Sequence, residues 1–198
     1  SEIASIDAQL SQSRVALEQF KEAEALFKEV AENHAEHYLA DWAVARRAAC
    51  LTGLGQNAEA EALLLPFVDT YTSAKRPPAE MPATKEMLKK LDAAGVKASE
   101  AFFSLIERSA FTLALAQFNQ EHFADAANQF RRFQEEFPTN ALHDEARFRL
   151  AQSLYRQDAF GDAADAYAPI ASGSGEFAAV ATFERALSLY KAGKRKAA

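Results

Sequence analysis

The feature that most constrains this chain is a recurring spacing of alanines and aromatics. Between Glu107 and Asn140 the sequence reads ERSAFTLALAQFNQEHFADAANQFRRFQEEFPTN. Ala110, Leu113, Ala114 and Phe118 fall at spacings of three and four, and so do Phe123, Ala126, Ala127, Phe130 and Phe133. Each set lies on one face of an α-helix. Gln120-Glu121-His122 separates them as a tight turn. Pro138 ends the second helix, because it has no N–H to donate and pushes the residue before it out of helical geometry. The stretch therefore predicts two antiparallel helices, with small residues letting the backbones approach and large ones filling the gaps.

The pattern recurs along the chain. Phe123 and Phe160 are 37 residues apart, and Ala163-x3-Tyr167 answers Ala126-x3-Phe130. RFRLAQSLYRQD, from Arg147, aligns with TFERALSLYKAG, from Thr182, at a shift of 35. Upstream, a first amphipathic helix is expected over residues 5–17 from Ile6, Leu10, Val15 and Leu17, followed by a turn and new helix start at Glu18–Ala23, then Ala23-x3-Phe27 and Val30. Residues 38–70 form the next copy, with Trp42, Val44, Ala45, Ala48, Ala49 and Leu51 on its first helix and a turn at Gly53–Asn57. Ala60-x3-Leu64, Phe67 and Tyr71 follow, with Pro66 expected to kink that helix or shorten its hydrogen-bond ladder. Three prolines in residues 72–83 signal a loop, and a short helix over 84–93 from Met87, Leu88 and Leu91 ends at Gly95. A last helix over 176–192 copies its predecessor without a partner of its own, so it reads as a cap or as the edge of a longer array. This divides the chain into a repeat pair at 1–71, an insertion at 72–97 and further repeats at 98–198. Both ends read as cut from something longer.

The central stretch resembles a tetratricopeptide repeat (TPR). Leu113-Ala114, Ala126-x3-Phe130 and Pro138 match the 34-residue unit, with Ala110 where that pattern has tryptophan. The resemblance implies an all-α fold: a right-handed superhelix of stacked antiparallel helix pairs, a TPR-like α-solenoid in which the first helix of each pair lines a concave groove. EFPTNALHDEARFRLAQSLYRQDAFGDAADAY and the 37-residue spacing are further similar to bacterial envelope TPR proteins of the outer-membrane-assembly lipoprotein and Tol-Pal-associated types. That implies a periplasmic or cell-envelope adaptor, with the insertion and the lack of a leader as departures.

Charge and composition exclude several classes. The formal net charge of −6 argues against general nucleic-acid binding, which needs clustered lysine and arginine. Residues 1–71 hold twelve acids and five bases, and residues 72–198 hold sixteen and seventeen. No apolar run is long enough to span a bilayer. The single cysteine, Cys50, permits no internal disulfide and reads as a buried structural thiol among alanines. His34-x2-His37, with Glu36 and Asp41 nearby, falls at a helix junction without the spacing of a metal motif, while His122 and His143 stand alone near turns. No phosphate-binding loop, nucleophile elbow or dinucleotide fingerprint occurs, so neither a cofactor nor a catalytic site is expected. Lys194-Arg195-Lys196 reads as a solubilising end.

The candidate groove comes from the same periodicity. Phe111, Phe148 and Phe183 form one row, and Phe118, Tyr155 and Tyr190 another. Asn119, Arg156 and Lys191 adjoin the second row, and Arg108 lies one turn before Phe111. An aromatic wall with amide and cationic rims suits a peptide carrying acidic groups. The favoured expectation is a non-enzymatic scaffold holding a protein or peptide partner there. The alternatives are a self-assembling module, in which the open last helix and the acidic N-terminal half pair between copies, and an appendage that regulates a catalytic domain.

Overall fold

The structure, a computed structural model, describes residues 2–73 and 76–197, with side chains from 16 to 73 and from 76 to 193. Among these residues the chain is all-α. Its helices are α1 (Glu2–Asn33), α2 (Leu39–Gly53), α3 (Asn57–Tyr71), α4 (Pro82–Ala93), α5 (Ser99–Asn119), α6 (Phe123–Glu136), α7 (His143–Arg156), α8 (Phe160–Ala171) and α9 (Ala178–Ala197), with a 3-10 turn at Pro78–Glu80. They stack as a TPR-like solenoid in which each helix packs mainly on its neighbours in the chain: α1 on α2, α2 on α3, α5 on α6, α6 on α7, α7 on α8 and α8 on α9. The exception is α4. The helix after it, α5, packs directly on α3 and α2, so the insertion is an excursion that leaves the stack continuous.

Four helix ends share one device. Gln56 N–H donates to Leu51 O at 2.8 Å, Val96 to Leu91 O at 2.9 Å, His122 to Gln117 O at 3.0 Å and Ala159 to Leu154 O at 3.0 Å. The residue before each donor is left-handed: Gly55, Gly95, Glu121 and Asp158, with φ of 77°, 67°, 63° and 60°. This closure satisfies the last carbonyls and turns the chain at once into the next segment. It accounts for the tight turns at 53–57 and 120–122 and for the end of α4.

The core is built from the pattern residues. One buried cluster joins Leu51, Leu64, Phe67, Tyr71, Phe102, Ile106, Leu113, Phe130 and Phe133, and Met87 and Leu91 of α4 pack into it, so it runs through both sides of the insertion. A second joins Phe148, Ala151, Ala163, Tyr167 and Ala181. In the first, Phe102 meets Tyr71 edge-on at 5.1 Å and Trp42 at 5.6 Å. Polar staples fix the neighbours across the insertion. Glu61 on α3 accepts from Gln117 Nε2 at 2.9 Å and Gln120 Nε2 at 2.7 Å on α5. Arg132 on α6 reaches the C-terminal end of α3, donating to Asp69 at 3.0 Å and to the carbonyl and hydroxyl of Thr72 at 3.0 and 2.6 Å.

Two expectations need correction. The predicted break at Glu18–Ala23 is absent: α1 runs unbroken from Glu2 to Asn33. Residues 16–33 contain no glycine or proline and are rich in strong helix formers, so nothing there competes with the helix. The side chains of Ile6, Leu10 and Val15, and of Lys194-Arg195-Lys196, lie outside the described residues. Pro66 lies inside α3, which spans Asn57–Tyr71; as a proline it has no N–H to give to the helix ladder. The last helix spans Ala178–Ala197 and passes through Gly193.

Candidate peptide-binding face

Three successive first helices, α5, α7 and α9, bring side chains to one hollow of about 210 Å³. It is lined by Phe118 of α5, Gln152, Tyr155 and Arg156 of α7, Tyr167 of α8 and Glu184 of α9. Phe118 and Tyr155 are half-buried. The Phe118 ring stands edge-on to Phe123 at 5.4 Å, and Tyr155 packs on Phe160 at 5.2 Å, so both are anchored at one side and open at the other. Arg156 is exposed. Its guanidinium lies 4.7 Å over the Phe123 ring and 3.5 Å from the Glu121 carboxylate, itself exposed. An exposed pair of this kind is weak, so the guanidinium remains available to another anion. Arg149 stands beside the hollow, 5.7 Å over Phe118, and donates to Gln152 at 3.1 Å.

At the floor, burial raises the Tyr167 phenol above the usual tyrosine range, and the charge of Glu184 and the neighbouring Tyr155 raise it further. It therefore stays a neutral hydroxyl at any physiological pH. The hollow thus offers two aromatic rings, an amide, a guanidinium and a carboxylate. That set suits a peptide backbone with polar side groups; its carboxylate makes the face less purely cationic than the sequence implied.

The expected site residues separate into three groups. Phe118, Tyr155 and Arg156 come together in the hollow. Phe111 and Phe148 do not belong to any open face, which corrects the first aromatic row. Phe111 is 7% exposed, with its ring against Phe130 at 5.7 Å and Phe133 at 5.6 Å, and Phe148 is 6% exposed, against Tyr167 and Phe177. Both point at the next helix rather than along the wall, because the small residues Ala110 and Ala114, or Ala146 and Ala151, let that helix close over them. Arg108, Asn119, Phe183, Tyr190 and Lys191 are exposed but apart from the hollow. Asn119 donates to Asn57 at 3.3 Å across to α3, and Phe183 and Tyr190 are exposed on α9 without lining the hollow.

Gln152, Tyr167 and Glu184 were missed as site residues. Arg149, Gln152 and Arg156 form a polar stripe at spacings of three and four on α7, a signal the sequence did carry. Elsewhere, His37 Nδ1 accepts the Leu39 N–H at 3.2 Å at the start of α2, and no group of three or more potential metal ligands occurs among the described residues. Cys50 is buried; desolvation raises its pKa, the charge of Glu24 adds to that, and Arg46 opposes it. None of the described helices is long and apolar enough to cross a membrane.

Compared with known families, residues 108–140 match the tetratricopeptide repeat. No curated protein and no solved structure matches the chain. The matched residues cover the second half of α5, the turn and all of α6. The match supports a TPR protein and, with it, a protein–protein interaction module.

Proposed function

We propose that this chain is a non-enzymatic scaffold that holds a peptide segment of a partner protein along the α5–α7–α9 wall. The observation that carries the reading is the hollow in which Phe118, Gln152, Tyr155, Arg156, Tyr167 and Glu184 meet from four helices. The aromatic rings supply apolar area already held in place by Phe123 and Phe160, so ordering them costs little on binding. Gln152 offers both a donor and an acceptor to an extended backbone. Arg156 gives a charge-assisted bond to an acidic side chain or a terminal carboxylate. The similarity of residues 136–167 to envelope TPR proteins supports a periplasmic setting for this scaffold, and fractionation of a tagged full-length protein tests that part separately.

Selection of a random linear peptide library on the immobilised chain tests the site. Binding peptides are expected to be enriched in aspartate and glutamate and to lose at least about tenfold in affinity for Arg156→Glu, about 1.4 kcal/mol. Arg156 and Gln152 can be changed without touching the core, so circular dichroism should stay that of the wild type. Peptides that bind Arg156→Glu and Gln152→Ala as tightly as wild type would refute the site.

A further inference from the structure

The hollow on the α5–α7–α9 wall has two unlike sides. Arg156 is drawn toward α6, with its guanidinium 4.7 Å over the Phe123 ring and 3.5 Å from the Glu121 carboxylate. Glu184 enters from α9. Ala181 and Ser188, three residues before it and four after, are fully buried, so the packed face of the helix directs Glu184 inward. Glu184 is half-buried, and among the described residues its carboxylate has neither an ion pair nor a hydrogen bond. Although both side chains line the hollow, Arg156 and Glu184 do not pair with each other.

The preceding repeat fills the equivalent place with a side chain of its own. Arg149 on α7 stands 35 residues before Glu184, at the same position of its helix. Its guanidinium lies 5.7 Å over the Phe118 ring of α5, 3.6 Å from Glu145, and donates to Gln152 at 3.1 Å. Phe118 corresponds to Tyr155, 37 residues on. One step along the stack, therefore, the aromatic is kept and the cation over it is replaced by a carboxylate. Among the described residues no cation stands over the Tyr155 ring. Tyr167 is a second, independent mark at the same place. It is 1% exposed and lines the hollow, yet among the described residues its hydroxyl has no hydrogen-bond partner. A buried hydroxyl left without a partner costs free energy, and its oxygen can accept from an N–H donor. A carboxylate, a phenol oxygen and an uncovered ring face are together a site for a cation with N–H groups. The volume of about 210 Å³ is smaller than the roughly 300–1,000 Å³ of a pocket for a whole drug-sized ligand, and fits a single side chain.

We propose that the hollow takes the charged end of a lysine or arginine side chain of the bound peptide, paired with Glu184 and lying against Tyr155, while Arg156 takes an acidic group close to it in the same peptide. This rests on the peptide-binding reading and names the chemistry of its ligand: a segment with a basic and an acidic residue near each other. Random linear peptides displayed on phage, selected in parallel on the wild type, Glu184→Gln and Glu184→Arg, test it. Glu184→Arg gives Tyr155 the kind of cation that Arg149 gives Phe118. Wild-type selections should carry lysine or arginine within a few residues of aspartate or glutamate, and selections on Glu184→Arg should keep the acid and lose the base. A peptide selected on the wild type should bind Glu184→Gln at least about tenfold more weakly. Changing its basic residue to methionine should cost as much on the wild type and nothing further on Glu184→Gln, a non-additivity that a general loosening of α9 would not produce. Glutamine keeps the shape of glutamate, so circular dichroism should stay that of the wild type. Peptides that weaken on Arg156→Glu but bind Glu184→Gln as tightly as wild type, or basic residues equally frequent in all three selections, would overturn this inference and leave the peptide site standing. Peptides indifferent to Arg156, Gln152 and Glu184 alike would overturn both.

Discussion

Replacing Arg132 by methionine is the sharpest test of how the stack stays continuous past the insertion. Arg132 Nε donates to Glu136 at 2.8 Å, and its two terminal nitrogens reach Asp69 and Thr72 at the end of α3. The Asp69 side chain is 63% exposed, so that bond contributes little. The Glu136 side chain is only 5% exposed, and its second oxygen is buried with no hydrogen-bond partner. Removing one member of a buried ion pair costs about 3–5 kcal/mol, because the other charge is stranded. The Arg132 side chain is 25% exposed, so water recovers part of this, and the loss of two donors to Thr72 adds some back. The expected net loss is about 3 kcal/mol. Urea unfolding followed by circular dichroism measures it. If a stranded carboxylate is the cause, adding Glu136→Gln to the Arg132→Met variant should return about 1–2 kcal/mol, since a neutral amide is cheaper to bury than an unpaired charge. A loss below about 1 kcal/mol, or no recovery with glutamine, would show that the network behaves as a surface ion pair and refute the argument.

Glu121→Gly and Asp158→Gly relieve left-handed backbone at two helix ends. Each is expected to stabilise by up to about 1 kcal/mol in the same unfolding assay, with Glu121 gaining more because aspartate tolerates that region better. A destabilisation at Glu121 would mean that its contact with Arg156 outweighs the strain. Cys50 is buried with its pKa raised, so less thiolate is present at a given pH than for a free cysteine. Its reaction with a disulfide reagent near pH 8 should be at least about tenfold slower than that of free cysteine, and should accelerate in urea in step with the loss of helix. Rapid labelling of the folded chain would show that α1 and α2 open readily at that point.

The residue pattern alone carried the helices and their stacking. Ala126-x3-Phe130, Pro138 and Gly55 act through local rules of periodicity, missing donors and backbone freedom, and these rules need no knowledge of the neighbours. The same rules misread Glu18–Ala23, where a repeat position was present but no breaker stood behind it. They also left Glu121 and Asp158 unflagged, since a left-handed non-glycine residue has no one-letter signature. Arg132 and Glu61 join positions about sixty residues apart, which no local window contains.

The site shows the division most clearly. Repetition at 37 and 35 residues identified two aromatic rows, but a repeat reproduces every face of its helices with the same period, the pair interface as well as the open wall. Periodicity could therefore name Phe111, Phe118, Phe148 and Tyr155 and could not say which were covered. Tertiary packing decided that the second helices close over Phe111 and Phe148, while Phe118, Tyr155 and Arg156 keep an open edge beside Gln152 and Glu184. The order of the elements comes from short-range chemistry written into the chain. Which side of each element remains free depends on what the rest of the chain places against it.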